Sequence, residues 1–253
     1  MALRKRIRRA GHGEELELVD HLDELRSRLI VSASAFGVAL ALCFWRNDLV
    51  LDVMNRPLHH KQPITLSPAE AFTTTFTLSA YAAIILTLPV LLYQAYAFVV
   101  PAFGKREKRV VAPLMALVPV LFVAGAVFAY VVVLPAALEF LLHFNADQFQ
   151  TEIRAKDYYG FAATTMAAVG ILFQVPVGIL AMTRLGIVTP QQLRKQRRYA
   201  YLGCTVVAAL LPGVDPVTML LETVPLLVLY EASIVLATIF GQVGAVEPEP
   251  DAT

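Results

Sequence analysis

The chain has 253 residues and a net charge of +1, and 57% of its residues are hydrophobic while only 16% are charged. A soluble domain of this length needs far more polar surface to cover its core, so a soluble globular protein is excluded. The mean hydropathy of +0.62 and several apolar runs long enough to cross a hydrocarbon layer of ~30 Å predict an all-α, polytopic membrane protein.

Six apolar runs follow one another along the chain. Five are long enough to span a bilayer: 29–45, 78–100, 110–134, 158–182 and 217–240. The run 199–211 has 13 residues and reaches only about 20 Å. It could be a re-entrant piece, but a basic stretch precedes it and the turn Pro212-Gly213 leads into the next run. This context favours a short helical hairpin across a locally thinned bilayer.

The distribution of basic residues predicts the orientation. Segments 1–28, 101–109 and 184–198 hold sixteen of the 21 Lys and Arg residues, whereas the alternate loops 46–70 and 135–157 hold five. By the positive-inside rule, both termini face the cytoplasm and the protein lies in the cell membrane. We therefore predict a cytoplasmic amphipathic segment at 1–28, a six-span domain at 29–240 and a disordered tail at 241–253.

Prolines within the spans predict kinks, and hence a concave wall rather than a straight bundle. They are Pro89, Pro113, Pro119, Pro176 and Pro225. Fifth and sixth helices shorter than the others would complete this wall.

The sequence lacks the short motifs of several enzyme classes. Phosphate-binding GxxxxGK[ST] loops, metalloprotease HExxH and serine GxSxG motifs are all missing, so the chain is not expected to be an enzyme. Cys43 and Cys204 lie in separate apolar runs and suggest neither a redox pair nor a metal site. No cofactor or metal is therefore expected.

A series of motifs resembles the TatC family, the multispanning subunit of the twin-arginine protein translocase. They cover roughly residues 18–240, and their order and spacing against six spans carry the resemblance. The motifs are "HLDELRSRL" from His21, "RPL" from Arg56, "LPVLLYQAYAFVVPAF" from Leu88, "KREKR" from Lys105, "FAYVVVLPAAL" from Phe128, "FQVPVGIL" from Phe173 and "TPQQLRKQRRY" from Thr189.

The resemblance implies a site for signal peptides that carry two adjacent arginines. Its acidic residues are Glu24 and Glu107, and a carboxylate can accept a guanidinium through two parallel charge-assisted bonds. The predicted site also includes Gln94 and Phe98 near the same surface, although Phe98 could instead face lipid. Arg26 and Arg28 complete it as anchors that also fix the angle of the first helix. From the residues alone, Glu24 and Arg28 at i,i+4 could also be an ordinary surface pair.

Other positions depart from the family or match it structurally. Gln174 stands where many relatives have Glu, while Glu231 matches a family glutamate expected at the cytoplasmic interface. Glu222 lies within the sixth span, where it could be protonated and inert, bonded to Thr205, or exposed toward a partner helix that docks on the fifth and sixth helices. Met219 belongs to the same predicted docking region. The resemblance assigns structural roles in the outer loops to Pro57 and Asp215.

The resemblance implies a receptor that binds twin-arginine signal peptides and recruits TatA- and TatB-like single-span proteins to export folded cargo. The export would use the proton-motive force, and several copies of the chain would share one complex; nucleic acid is not an expected partner. A proton- or ion-coupled solute transporter and a structural assembly scaffold remain the alternatives.

Overall fold

The computed structural model describes the backbone of residues 2–58, 62–99, 105–148, 151–184, 186–213 and 215–240. Side-chain surroundings are described within these ranges except for residues 2–21, 99, 105–116 and 240. The predicted tail at 241–253 and the side chain of Glu107 therefore lie outside the described residues.

The described chain folds into ten α-helices and contains no β-strand. They are α1 (Ala2–Trp45), α2 (Asn47–Asn55), α3 (Pro68–Val99), α4 (Lys105–Phe128), α5 (Leu134–His143), α6 (Ala155–Leu172), α7 (Val175–Arg184), α8 (Pro190–Lys195), α9 (Arg197–Leu210) and α10 (Pro216–Phe240). A 3-10 turn, Arg56–Leu58, follows α2, and a π-helical segment, Ala129–Val133, joins α4 to α5. The predicted all-α class is confirmed.

Five stretches within these helices are long and apolar enough to cross a membrane. They are Leu22–Trp45, Pro68–Phe98, Leu117–His143, Ala155–Arg184 and Pro216–Ile239. Each contains most of one predicted long span, so the polytopic architecture is confirmed. Helix α9 has 14 residues and is only about 21 Å long, which matches the predicted short fifth span. The predicted sixth helix, α10, has 25 residues and is therefore not short. Helix α1 continues through residue 28, so the predicted N-terminal segment and the first span share one helix.

Proline positions coincide with two of the irregular points in the spans. The α6–α7 break falls at Phe173 and Gln174, directly before Pro176, and the π-helical segment ends just before Pro135. Proline has no N–H to donate to the preceding turn, which accounts for both. Helices α3 and α10 instead continue through Pro89 and Pro225.

Helix α3 packs against α1, α4 and α6, while α10 packs against α7 and α9. Helices α4 and α6 approach each other closely, since a Cβ on Gly125 would lie 2.9 Å from the Cα of Gly170. Glycine at both positions lets these two backbones come this close. The hairpin from α9 to α10 turns at Gly213, whose φ of 148° is disfavoured for other residues.

The ends of the helices near loops 46–70 and 135–157, which we call the outer end after the predicted orientation, are closed by hydrogen bonds. The Tyr130 hydroxyl donates to the Val53 carbonyl at 2.6 Å, and the Tyr158 hydroxyl donates to the Met54 carbonyl. The Val53 carbonyl also accepts from the Arg56 backbone N–H at the end of α2, so the two tyrosine hydroxyls add bonds that tie this end of α2 to the π-helical segment and to α6.

Candidate functional site

The structure brings three predicted site residues together at the end of the bundle opposite the outer end. The Arg28 guanidinium donates to Glu24 Oε1 from Nε at 3.0 Å and from Nη2 at 2.6 Å. Its third nitrogen, Nη1, donates to Gln94 Oε1 at 2.9 Å. The Arg28 and Glu24 side chains are 24% and 31% exposed, so they lie at the surface but are partly desolvated. Arg28 thus links α1 to α3, and we call these three residues the α1–α3 cluster.

The other predicted members of this site have different surroundings. Arg26 is exposed on α1, and Phe98 is half-buried near the end of α3. Glu107 lies in the first turn of α4, but its side chain is outside the described part of the chain. Whether both glutamates share one surface therefore stays a prediction.

Glu222 is buried in α10, with 3% of its surface exposed. Its Oε1 has no hydrogen-bond partner among the described residues. It borders a cavity of about 10 Å³, close to the least volume that holds one water, lined otherwise by apolar side chains of α4, α6 and α10 and by Phe173. Burying a carboxyl group among apolar side chains without a hydrogen bond to each oxygen costs free energy of folding.

An open apolar groove lies beside this cavity. It measures about 590 Å³ and is lined by Phe128 and by α10, where the exposed residues Leu220, Val224 and Val228 form a stripe at i,i+4 spacing. Phe128 and Pro225 line both the groove and the smaller cavity. The Glu222 side chain thus lies beneath the exposed stripe and is buried in the isolated chain, so its predicted role in docking a partner helix stays a prediction.

The remaining residues of the predicted docking region have local partners. The Thr205 hydroxyl donates to the Tyr201 carbonyl at 3.0 Å in its own helix, and Glu222 Oε1 accepts no bond from it. Met219 is half-buried on α10, and its carbonyl accepts from the Thr223 hydroxyl at 2.7 Å.

Gln174 and Glu231 hold helices together. The Gln174 amide donates to the Val118 carbonyl of α4 at 3.1 Å, while its Oε1 has no partner among the described residues. Glu231 accepts from Arg197 Nη2 at 2.7 Å and from the Tyr201 hydroxyl at 2.6 Å, which ties α10 to the first turns of α9. Because Arg197 belongs to the basic loop 184–198, Glu231 lies near the end predicted to be cytoplasmic.

Asp215 and Pro57 occupy structural positions in the outer-end turns. Asp215 caps α10, since its carboxylate accepts from the Thr218 backbone N–H at 2.8 Å and also from the Thr218 hydroxyl. Pro57 is buried in the 3-10 turn after α2.

One ion pair at the outer end was missed by the sequence reasoning. Glu70 is buried and accepts from Arg154 Nε at 2.8 Å and from the Leu66 backbone N–H at 2.9 Å. The hydrogen bond to this carboxylate raises the pKa of the Arg154 guanidinium. Backbone bonds between Ile64 and the 153–155 segment reinforce the contact. No local pattern could have found this pair, because Arg154 lies 84 residues from Glu70 along the chain.

In the part of the chain that the structure describes, no group of three His, Cys, Asp or Glu side chains is placed to hold a metal ion.

Comparison with known proteins places this arrangement in a family. Residues 20–225 match the model of the Sec-independent protein translocase protein TatC. The chain belongs to the TatC family. The TatC protein of Desulforapulum autotrophicum is 35% identical over 234 residues, covering 90% of this chain and 87% of that protein. The Aquifex aeolicus TatC is 37% identical over 227 residues, covering 87% of this chain and 94% of that protein.

Solved structures of TatC have the same fold. A crystal structure of the twin-arginine translocase receptor TatC in the detergent DDM matches with a TM-score of 0.74 and 36% identity, covering 85% of this chain and 98% of that one. A second crystal structure of the receptor matches with a TM-score of 0.72 and 34% identity, over 88% of this chain and 100% of that one. The fold predicted from the TatC resemblance is thereby confirmed.

Proposed function

We propose that this chain is the receptor subunit of a twin-arginine protein translocase and that it binds signal peptides bearing two adjacent arginines. The observation that carries the proposal is the partly exposed Glu24 carboxylate, which the α1–α3 cluster holds in a fixed position at the surface. Membership of a family whose solved members are named twin-arginine translocase receptors supports it. Glu107 is proposed as the acceptor for the second arginine, with Phe98 and Arg26 as neighbours of the peptide.

The chemistry of Glu24 suits an arginine better than a lysine. A guanidinium donates two parallel N–H bonds to one carboxylate, whereas an ammonium acts as a compact point charge without this planar fork. Hydrogen bonds to a charged group are each worth ~1.5–3 kcal/mol when both partners are partly desolvated. The contact between Arg28 and Glu24 supports the fit of this carboxylate to a guanidinium.

The proposal includes an orientation and partners. Both termini and the α1–α3 cluster would face the cytoplasm of the cell membrane, in agreement with the excess of Lys and Arg in loops 101–109 and 184–198. Single-span TatA- and TatB-like helices would dock on α9 and α10, where the open groove offers an apolar lining. Glu222, beneath that groove, would receive a polar group of the docked helix. Several copies of the chain would work in one complex.

Peptide binding tests the proposal directly. Glu24→Gln keeps the side-chain shape but removes the charge, so a twin-arginine peptide should bind at least tenfold more weakly to the detergent-purified chain, because 1.4 kcal/mol corresponds to tenfold. Glu107→Gln should act in the same direction. Asp23→Asn is the matched control, since Asp23 is exposed beside Glu24 and loses the same charge.

The same measurement separates the alternative functions. A solute transporter or an assembly scaffold would show no preference for a twin-arginine over a twin-lysine peptide. Unchanged affinity in both glutamate variants, or equal loss in Asp23→Asn, would contradict the proposed receptor site.

A further inference from the structure

The α1–α3 cluster contains a guanidinium of the chain itself. Arg28 directs both Nε and Nη2 at the same oxygen of Glu24, Oε1, and retains Nη1 for Gln94. If Glu24 receives a substrate arginine, as the proposed function holds, a group of the same chemistry already occupies it.

A second guanidinium cannot simply be added at this carboxylate. A bidentate fork needs one N–H on each carboxylate oxygen. Each carboxylate oxygen has about two lone-pair sites, and Oε1 already receives two donors from Arg28. An incoming fork that spans both oxygens must therefore displace at least one Arg28 nitrogen.

We propose that Arg28 is an internal competitor of the substrate at Glu24 and thereby sets the selectivity for arginine. This inference rests on the proposed receptor function. A substrate arginine replaces Arg28 with an equivalent set of bonds, so the exchange costs little. A lysine ammonium carries its three N–H donors on one nitrogen and lacks the planar fork, so it replaces the Nε and Nη2 bonds less well and Arg28 excludes it more strongly.

Gln94 makes the exchange feasible. Its amide oxygen accepts from Arg28 Nη1, a nitrogen that takes no part in the contact with Glu24. The displaced Arg28 therefore keeps one hydrogen bond on α3 while the surface supplies water to the other nitrogens. The side chain can move away from Glu24 without becoming a charge that has lost all its partners.

The test compares twin-arginine and twin-lysine peptides on the full chain in detergent, for the wild type and for Arg28→Gln. The Arg28→Gln variant should bind both peptides more tightly than the wild type, and the increase in affinity should be larger for the twin-lysine peptide. The selectivity ratio between the peptides should narrow by about tenfold, equivalent to 1.4 kcal/mol. Lys195→Gln is the control for charge, because Lys195 is exposed at the end of α8 and its loss lowers the net charge equally.

A double variant tests whether the gain acts through Glu24. In the Glu24→Gln background, Arg28→Gln should no longer tighten binding, because there is no carboxylate to release. If Arg28→Gln does not yield folded protein, Arg28→Lys replaces it and should narrow the ratio in the same direction.

Three results would overturn the inference: weaker binding in Arg28→Gln, an unchanged selectivity ratio, or an equal narrowing in Lys195→Gln. The first would make Arg28 a positioning residue for Glu24. In each case the receptor function stands if the wild type still prefers twin-arginine in a Glu24-dependent manner. Absence of that preference in the wild type would instead remove the proposed function.

Discussion

Replacing Glu222 by leucine should make the isolated chain more stable while weakening the docking of a partner helix. The two side chains are similar in size, and the residues around Glu222 include Phe128, Leu172 and Leu226, which offer a leucine apolar contacts. What the change removes is a buried carboxyl group whose Oε1 has no partner among the described residues.

The size of the effect follows from the cost of an unsatisfied buried polar group, which is about 1–3 kcal/mol. Glu222→Leu should raise the free energy of unfolding by an amount in this range. For a domain of 150–250 residues each kcal/mol corresponds to about 2–4 °C in Tm, so a rise of several degrees is expected in detergent. Thr223→Val is the matched control, because Thr223 is also buried but its hydroxyl already donates to the Met219 carbonyl.

Partner docking should change in the opposite direction. Copurification of TatA- and TatB-like proteins and export of cargo should both fall in Glu222→Leu, while binding of the twin-arginine peptide persists. If the protein becomes more stable and copurification is unaffected, Glu222 is a tolerated buried acid and the docking role is refuted. If stability instead falls, Glu222 has a stabilising partner and the reasoning about its unsatisfied oxygen is refuted.

Three further predictions concern the fold and its orientation. Tyr158→Phe removes the donor to the Met54 carbonyl at the end of α2 and should lower the free energy of unfolding by about 1–3 kcal/mol, measured by thermal unfolding. Tyr93→Phe is the control, because the Tyr93 side chain is 46% exposed, and it should change the stability little. Gly170→Ala should lower the free energy of unfolding by about 1–3 kcal/mol in the same assay, because the new Cβ would lie 2.6 Å from a neighbouring ring. Gly160→Ala is the control in the same helix, since its Cβ would meet no atom within 4 Å, and it should be neutral or stabilising. Equal effects of the two changes would contradict the close approach of α4 and α6. Single cysteines introduced at Gln62 and Asp147 should be labelled by a membrane-impermeant reagent from the outer side. Cysteines at Lys108 and Gln196 should be labelled only from the cytoplasm, and one reversed loop would disprove the orientation.

The sequence determined the class, the spans and the family of this protein. Apolar runs long enough to cross a bilayer predict membrane-spanning helices, because the backbone N–H and C=O groups of such runs must form hydrogen bonds within the helix when lipid surrounds them. The short fifth span was also predictable, since its length is counted directly from the chain and its ends are marked by basic residues and by the Pro212-Gly213 turn. The i,i+4 pair of Glu24 and Arg28 was equally visible, because helix geometry alone places those side chains together.

Tertiary packing decided which distant polar groups meet. Arg28 reaches Gln94 across 66 residues, and Arg154 reaches Glu70 across 84 residues. Neither contact follows from any local period, because each depends on the rotation and depth of two packed helices. Packing also placed Glu222 beneath an exposed apolar stripe. Hydropathy cannot predict this position, because hydropathy locates a span along the chain but does not show which side of the helix each residue faces in the fold. The sequence supplies the ionisable groups of this TatC-family fold, and the packing of α1 on α3 and of α10 on its neighbours determines which of them are paired.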